Sequence, residues 1–147
     1  MKRREFIAFF TGTAAAWATA AGAQQPGRLR RIGVLESGGG TPVSKARAEV
    51  LRATLAKLGW HEGKNIRFEW KESFADIRRA RANGDDLVAL APDVIVATNT
   101  QMVQVLQEKT RTIPIVFINV PDSVVGALVG SVARPTRNAT GFINLTR

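Results

Sequence analysis

The sequence predicts a doubly wound α/β fold: a parallel five-stranded sheet of order 2-1-3-4-5 with helices on both faces. Three observations carry that reading. Short apolar runs of strand length alternate with longer segments of helical period from Ile32 to Asn144. Two of those runs, Val94-Ile95-Val96-Ala97 and Ile115-Val116-Phe117-Ile118, are continuously apolar, as strands covered on both faces are. Cap and turn residues punctuate every junction. An alternating β-α-β order calls for parallel strands joined by right-handed crossovers.

The elements follow in order. Ile32-Gly33-Val34-Leu35 is a strand that meets the loop Ser37-Gly38-Gly39-Gly40. Thr41 can cap a helix, and Pro42 is tolerated at its first position. Val43, Ala46, Val50, Leu51, Leu55 and Leu58 are expected on the buried face of that helix, and Gly59 ends it. Ile66, Phe68 and Trp70 share one side of a half-exposed second strand. Ile77, Ala80, Leu87, Val88 and Ala91 mark a second helix, weakened in its middle by Asn83-Gly84 and broken at Pro92-Asp93. Val94 to Ala97 is the third strand, Thr100 to Lys109 the third helix, and Ile115 to Ile118 the fourth strand. Ser123 to Ala133 reads as a short fourth helix and Gly141 to Asn144 as the fifth strand.

Composition bounds what such a chain can do. It has 147 residues, 45% hydrophobic and 22% charged, with no Cys and a single His, His61. That is an ordinary globular balance. The missing Cys excludes disulfides, thiolate catalysis, Cys-based metal sites and a lipoprotein anchor, and one His excludes any site built on two imidazoles. Lys2, Arg3 and Arg4 precede an uncharged stretch from Phe6 to Ala21, and Ala21-Gly22-Ala23 is a small-x-small cleavage pattern. Residues 1–23 therefore read as an export signal, with cleavage near Ala23 and a periplasmic destination. The stretch is marginal in length and too rich in Ala, Gly and Thr for a membrane span, so no stable membrane anchor is expected. Arg3-Arg4-Glu5-Phe6-Ile7 looks like a twin-arginine signal; an ordinary secretory signal with two arginines is the alternative. Without Lys2, Arg3, Arg4 and Glu5, the 21 basic and 12 acidic residues fall to 18 and 11, a net charge of +7 rather than +9. The remaining basic residues are scattered, with no helix-turn-helix and no aromatic platform, so no nucleic-acid partner is expected.

In an open parallel sheet, ligands bind at the carboxyl ends of the strands. Three loops lie there: Glu36, Ser37 and Gly38 to Thr41 after the first strand, Thr98 to Gln101 after the third, and Asn119 to Ser123 after the fourth. Their hydroxyls, amides and backbone N–H groups near helix starts suit a carboxylate or other small polar group. The same residue types also serve as plain caps and turns. Catalytic motifs are missing. Gly59-Trp60-His61-Glu62-Gly63-Lys64-Asn65 has three residues between its glycines where a phosphate loop has four, ends in Asn, and follows a helix. Ser37 lacks the Gly-x-Ser-x-Gly elbow, and Gly38 to Gly40 do not form a dinucleotide fingerprint. No cofactor, metal or catalytic group is expected.

Several stretches carry a resemblance. They are Met1 to Ile7 with Ala23-Gln24-Gln25-Pro26, Arg31 to Leu35, Leu58 to Ile66, Leu87 to Ile95, Ile113 to Phe117, and Ala133-Arg134-Pro135 with Asn138 to Gly141. In this order and spacing the chain resembles bacterial ABC-transporter substrate-binding proteins of the periplasmic type I class, in the branch near tryptophan- and tyrosine-binding members. The resemblance implies a Rossmann-like lobe of a two-lobed receptor. Such a receptor closes on a small solute, an amino acid or related compound, and delivers it to an ABC permease in the cytoplasmic membrane. It implies ligand contacts from Ser37, from Asn99, Thr100 and Gln101, and from Asp122. Where the family usually has Asp-Pro-Val, this chain has Asp122-Ser123-Val124. Residues 24–147 correspond to the N-terminal lobe, and the second lobe is expected to be absent. The alternative is a truncated one-lobe remnant with little or no ligand binding.

Overall fold

Arg30 to Glu36 opens the sheet because its alternate side chains have apolar partners on two sides: Val34 faces one helical layer and Leu35 the other. The computed structural model describes residues 28–131, 134 and 136–144. The expected export signal, and Ala133 and Pro135 of the family-like stretches, lie outside the described residues. The elements are β1 (Arg30–Glu36), α1 (Pro42–Lys57), β2 (Ile66–Glu72), α2 (Ile77–Ala89) and β3 (Val94–Ala97). They continue with α3 (Thr100–Lys109), β4 (Ile115–Pro121), α4 (Asp122–Val129) and β5 (Ala139–Asn144). All pairings are parallel, in the order β2-β1-β3-β4-β5. The expected fold class and strand order are both present.

The main core lies between the sheet and α2, α3 and α4. Leu35, Ile95, Ile115 and Phe117 meet Leu87, Met102, Leu106 and Leu128 there. Burying each such side chain contributes about 1.5–3 kcal/mol. Gly84 does not interrupt α2. A Cβ there would sit 3.2 Å from Val105 Cγ1, so the bare glycine lets α2 and α3 close on each other. At the amino edge, Asp93 accepts from the Arg31 backbone N–H at 2.8 Å and from Arg30 Nη1 at 2.9 Å, locking the start of β3 to β1.

Several expectations are corrected. The inward side of α1 carries Ser44, Leu51 and Leu55, while Val43 and Val50 are 67% and 65% exposed and Leu58 is exposed too. Two polar contacts set this roll. Thr41 Oγ1 caps the Ser44 N–H at 3.1 Å, and Arg47 Nη1 reaches Glu36 Oε1 at 2.9 Å. β3 and β4 are not covered equally on both faces. Ile95 and Phe117 are fully buried under α2–α4, but Val94, Val96, Val116 and Ile118 are half-buried, because among the described residues α1 alone lies on that side and packs over β1 and β2. α4 starts one residue early, at Asp122, and stops at Val129, where Gly130 turns the chain. β5 starts at Ala139, whose side chain is buried opposite Ile115. Its Gly141 passes so close to the Phe117 backbone that a Cβ would overlap it.

Candidate functional site

The carboxyl edge of the sheet gathers four loops, one more than the sequence reading named. Ser37 follows β1, half-buried. Its backbone N–H donates to Thr98 Oγ1 at 3.1 Å. Thr98 is 3% exposed, and its own hydroxyl and N–H both point at the Leu35 carbonyl, at 3.4 and 3.3 Å. The hydroxyl thus clasps the β1 and β3 loops, bringing Ser37 beside the start of α3. The reason is register: Leu35 pairs with Ala97, so the next residues of the two strands emerge side by side.

Asn99 is extended and caps α3, its Oδ1 accepting from the Met102 N–H at 3.0 Å. That acceptor is already engaged by the helix. Thr100 is half-buried and Gln101 exposed in the first turn, where backbone N–H groups lack intrahelical acceptors. Asp122 is exposed in the first turn of α4. Among the described residues no hydrogen bond joins Asp122 to the other loops. The structure therefore joins Ser37 with the Asn99–Gln101 turn and leaves Asp122 apart, at the start of α4, which follows β4 with no loop between them. Asn119, within β4 where its pairing with β5 is irregular, is left-handed at φ 58° and accepts from the Asn144 amide.

Two residues of these loops face elsewhere. Glu36 is 3% exposed, tucked beneath α1 with Arg47. Val120 is in the core. His61 lies exposed in the turn after α1, where its carbonyl accepts from Lys64, Asn65 and Ile66.

The fourth loop, Ser73 to Asp76, carries no motif that marks it in the sequence. Ser73, Phe74 and Ala75 donate their N–H groups to the carbonyls of Glu36, Gly38 and Ser37, at 2.9, 3.4 and 2.7 Å. It lies directly against the Ser37 loop. The signal available was a turn between Glu72 and the α2 cap Asp76, in a segment without glycine or proline.

The rim is open. Cavities of about 280 and 340 Å³ lie beside α1, lined by Glu36, Ser44, Trp70 and Glu72 in one and by Ile32, Leu55, Trp60 and Val94 in the other. Neither these nor the cavity of about 330 Å³ at Gln107 and Asn138 is lined by Ser37, Asn99, Gln101 or Asp122. The rim presents two helix N-termini, hydroxyls and amides, and one carboxylate. Among the described residues no cluster of His, Asp and Glu is arranged to hold a metal ion, and no helix is long and apolar enough to cross a membrane.

Known proteins share this fold. Residues 40–147 match the family described as ABC transporter substrate binding protein. The chain is 27% identical over 114 residues to a tyrosine-binding protein of Clostridioides difficile, covering 78% of this chain and 33% of that protein. Its fold superposes on a conserved domain protein from Vibrio cholerae with a TM-score of 0.73 at 32% identity, over 80% of this chain and 40% of that one. It also matches a ligand-free, open substrate binding protein with adhesive properties from Clostridium difficile (TM-score 0.72, 24% identity, 80% of this chain and 40% of that one). A third match is an ABC domain in complex with L-Trp from Streptococcus pneumoniae (TM-score 0.70, 23% identity, 79% of this chain and 39% of that one). The chain thus spans about a third of the curated relative's length and two fifths of the solved chains.

Proposed function

Because the chain belongs to the ABC transporter substrate-binding proteins, we propose that it forms the solute-capturing lobe of an ABC importer, with Ser37, Asn99, Thr100, Gln101 and Asp122 facing a small amino acid-like solute. The observation that carries this reading is the Ser37–Thr98 clasp, which seats a hydroxyl loop against the N-terminus of α3 on an open rim. A solute carboxylate suits the unbonded N–H groups at the start of α3, and a solute ammonium suits the Asp122 carboxylate. The relatives' names, tyrosine-binding and L-Trp-bound, favour an aromatic amino acid.

A second wall would come from a further lobe, with hinge closure sealing the solute from water. Val96 and Ile118 are only half-buried on the α1 side of the sheet, which accords with additional chain packing there. Export through residues 1–23 would place the protein in the periplasm, where it hands its solute to a membrane permease. Catalysis has no part in this reading.

Thermal melting of the 147-residue chain with and without L-tyrosine, L-tryptophan or L-leucine tests it. A ligand at a hundred times its Kd stabilises the native state by about 2.7 kcal/mol. The open rim favours a second reading, a single lobe with little or no solute binding, and an unchanged melting temperature with every amino acid would select it.

A further inference from the structure

The loop after β2 carries an unusual combination. Phe74 and Ala75 are both left-handed, at φ 51° and 60°, although neither is glycine. Such backbone costs of order 1–3 kcal/mol per residue and persists where the surroundings impose it. Here they do. Ser73 is fully buried, three backbone bonds tie Ser73, Phe74 and Ala75 to Glu36, Gly38 and Ser37, and Asp76 caps α2 by accepting from the Arg78 and Arg79 N–H groups. The strain does not serve to bury the ring, because Phe74 is 53% exposed. Instead it holds a large apolar side chain at the carboxyl edge, beside Ser37.

The ring is braced rather than covered. It lies against Gly39, where a Cβ would come within 2.5 Å of Phe74 Cε1, so the glycine leaves the space the ring occupies. On the helix side, the Arg79 guanidinium stands 5.1 Å from the ring centre. Among the described residues Arg79 has no carboxylate within ion-pair distance. An exposed aromatic ring, held in place by strained backbone and a glycine seat beside hydrogen-bonding loops, has the features of a ligand-facing apolar surface.

We propose that Phe74, seated on Gly39, is the side-chain subsite of the solute site, contacting the aromatic or large apolar side chain of an amino acid whose polar groups are held by the Ser37, α3 and α4 loops. This rests on the solute-capture reading above and assigns specificity within it. Phe74 touches the solute and takes part in no chemistry.

The test is calorimetric titration of L-tyrosine, L-tryptophan and L-leucine into the 147-residue chain, Phe74→Ala and Phe74→Tyr. With the ring mostly in solvent, Phe74→Ala keeps the fold, which its melting temperature checks. The expected result is a roughly tenfold weaker Kd for Phe74→Ala and near-native affinity for Phe74→Tyr. A Phe74→Ala Kd within twofold of the unaltered chain overturns the subsite while leaving solute capture standing, and so does an equal loss in both variants. Failure of the unaltered chain to bind any of the three amino acids overturns the solute-capture reading and the subsite with it.

Discussion

Replacing Thr98 with valine removes one hydroxyl and keeps the side chain's shape. In the native chain that hydroxyl accepts the Ser37 N–H at 3.1 Å and faces the Leu35 carbonyl at 3.4 Å. Leu35 loses little, because the Thr98 N–H still donates to the same carbonyl at 3.3 Å. Ser37 loses its acceptor. An orphaned buried donor costs about 1–3 kcal/mol. Ser37 is half-buried, so water recovers part of that, and Thr98→Val is expected to cost about 1 kcal/mol. A domain of this size then melts roughly 4 °C lower. The loss is local as well as global. Hydrogen exchange at the Ser37 amide is expected to speed up several-fold more than at Ile95 or Phe117, which lie in the core of the sheet. If the proposed solute site is used, solute affinity is expected to fall as well, because the clasp positions Ser37 against α3. Urea titration and amide exchange on the variant are the assays. Native stability together with native Ser37 protection would refute the argument that this one hydroxyl joins the two loops.

Acid titration probes the opposite edge of the sheet. The Arg31 backbone N–H, bonded to Asp93, is the main cause holding that carboxyl below its ordinary range; partial burial opposes it, and Arg30 and Arg28 add to it. A depressed carboxyl contributes stability that is complete above the unfolded value of about 3.9 and is lost as pH falls through the lower folded value. Asp93→Asn keeps an acceptor but removes the charge. It is expected to cost about 1 kcal/mol at neutral pH and to flatten the acid limb of a stability–pH curve below pH 4; an unchanged limb would rule out Asp93 as its source. Adjacent alanine substitutions test the roll of α1. Leu51→Ala, on the packed side, is expected to cost about 2 kcal/mol, whereas Val50→Ala, on the exposed side, stays within about 0.5 kcal/mol. The reverse ranking in urea titrations would put the helix the other way round.

How much was legible in the chain alone depends on the range of the forces involved. Alternation of strand and helix, the Thr41–Pro42 start, the Gly59 stop and the 2-1-3-4-5 order follow from local period, capping and crossover handedness, and all are present. The candidate loops were legible for the same reason, since carboxyl-edge loops follow directly from strand assignment. The roll of α1 was not. Val43, Val50 and Leu51 are equally apolar, and only the Arg47–Glu36 pair and the Ser44 cap, set by tertiary placement, chose between two neighbouring stripes. Nor was the fourth loop. Phe74 reads as one more hydrophobic residue until the backbones of Glu36, Ser37 and Gly38 hold it outward at left-handed φ. The sequence by itself determined the fold class, the strand order and which loops lie at the carboxyl edge, because each rests on patterns between near neighbours. Which side chains reach that edge was decided only by the tertiary structure, because Thr98 and Ser37 meet across 61 residues of chain, and Phe74 meets Gly38 and Gly39, through contacts that no local pattern encodes.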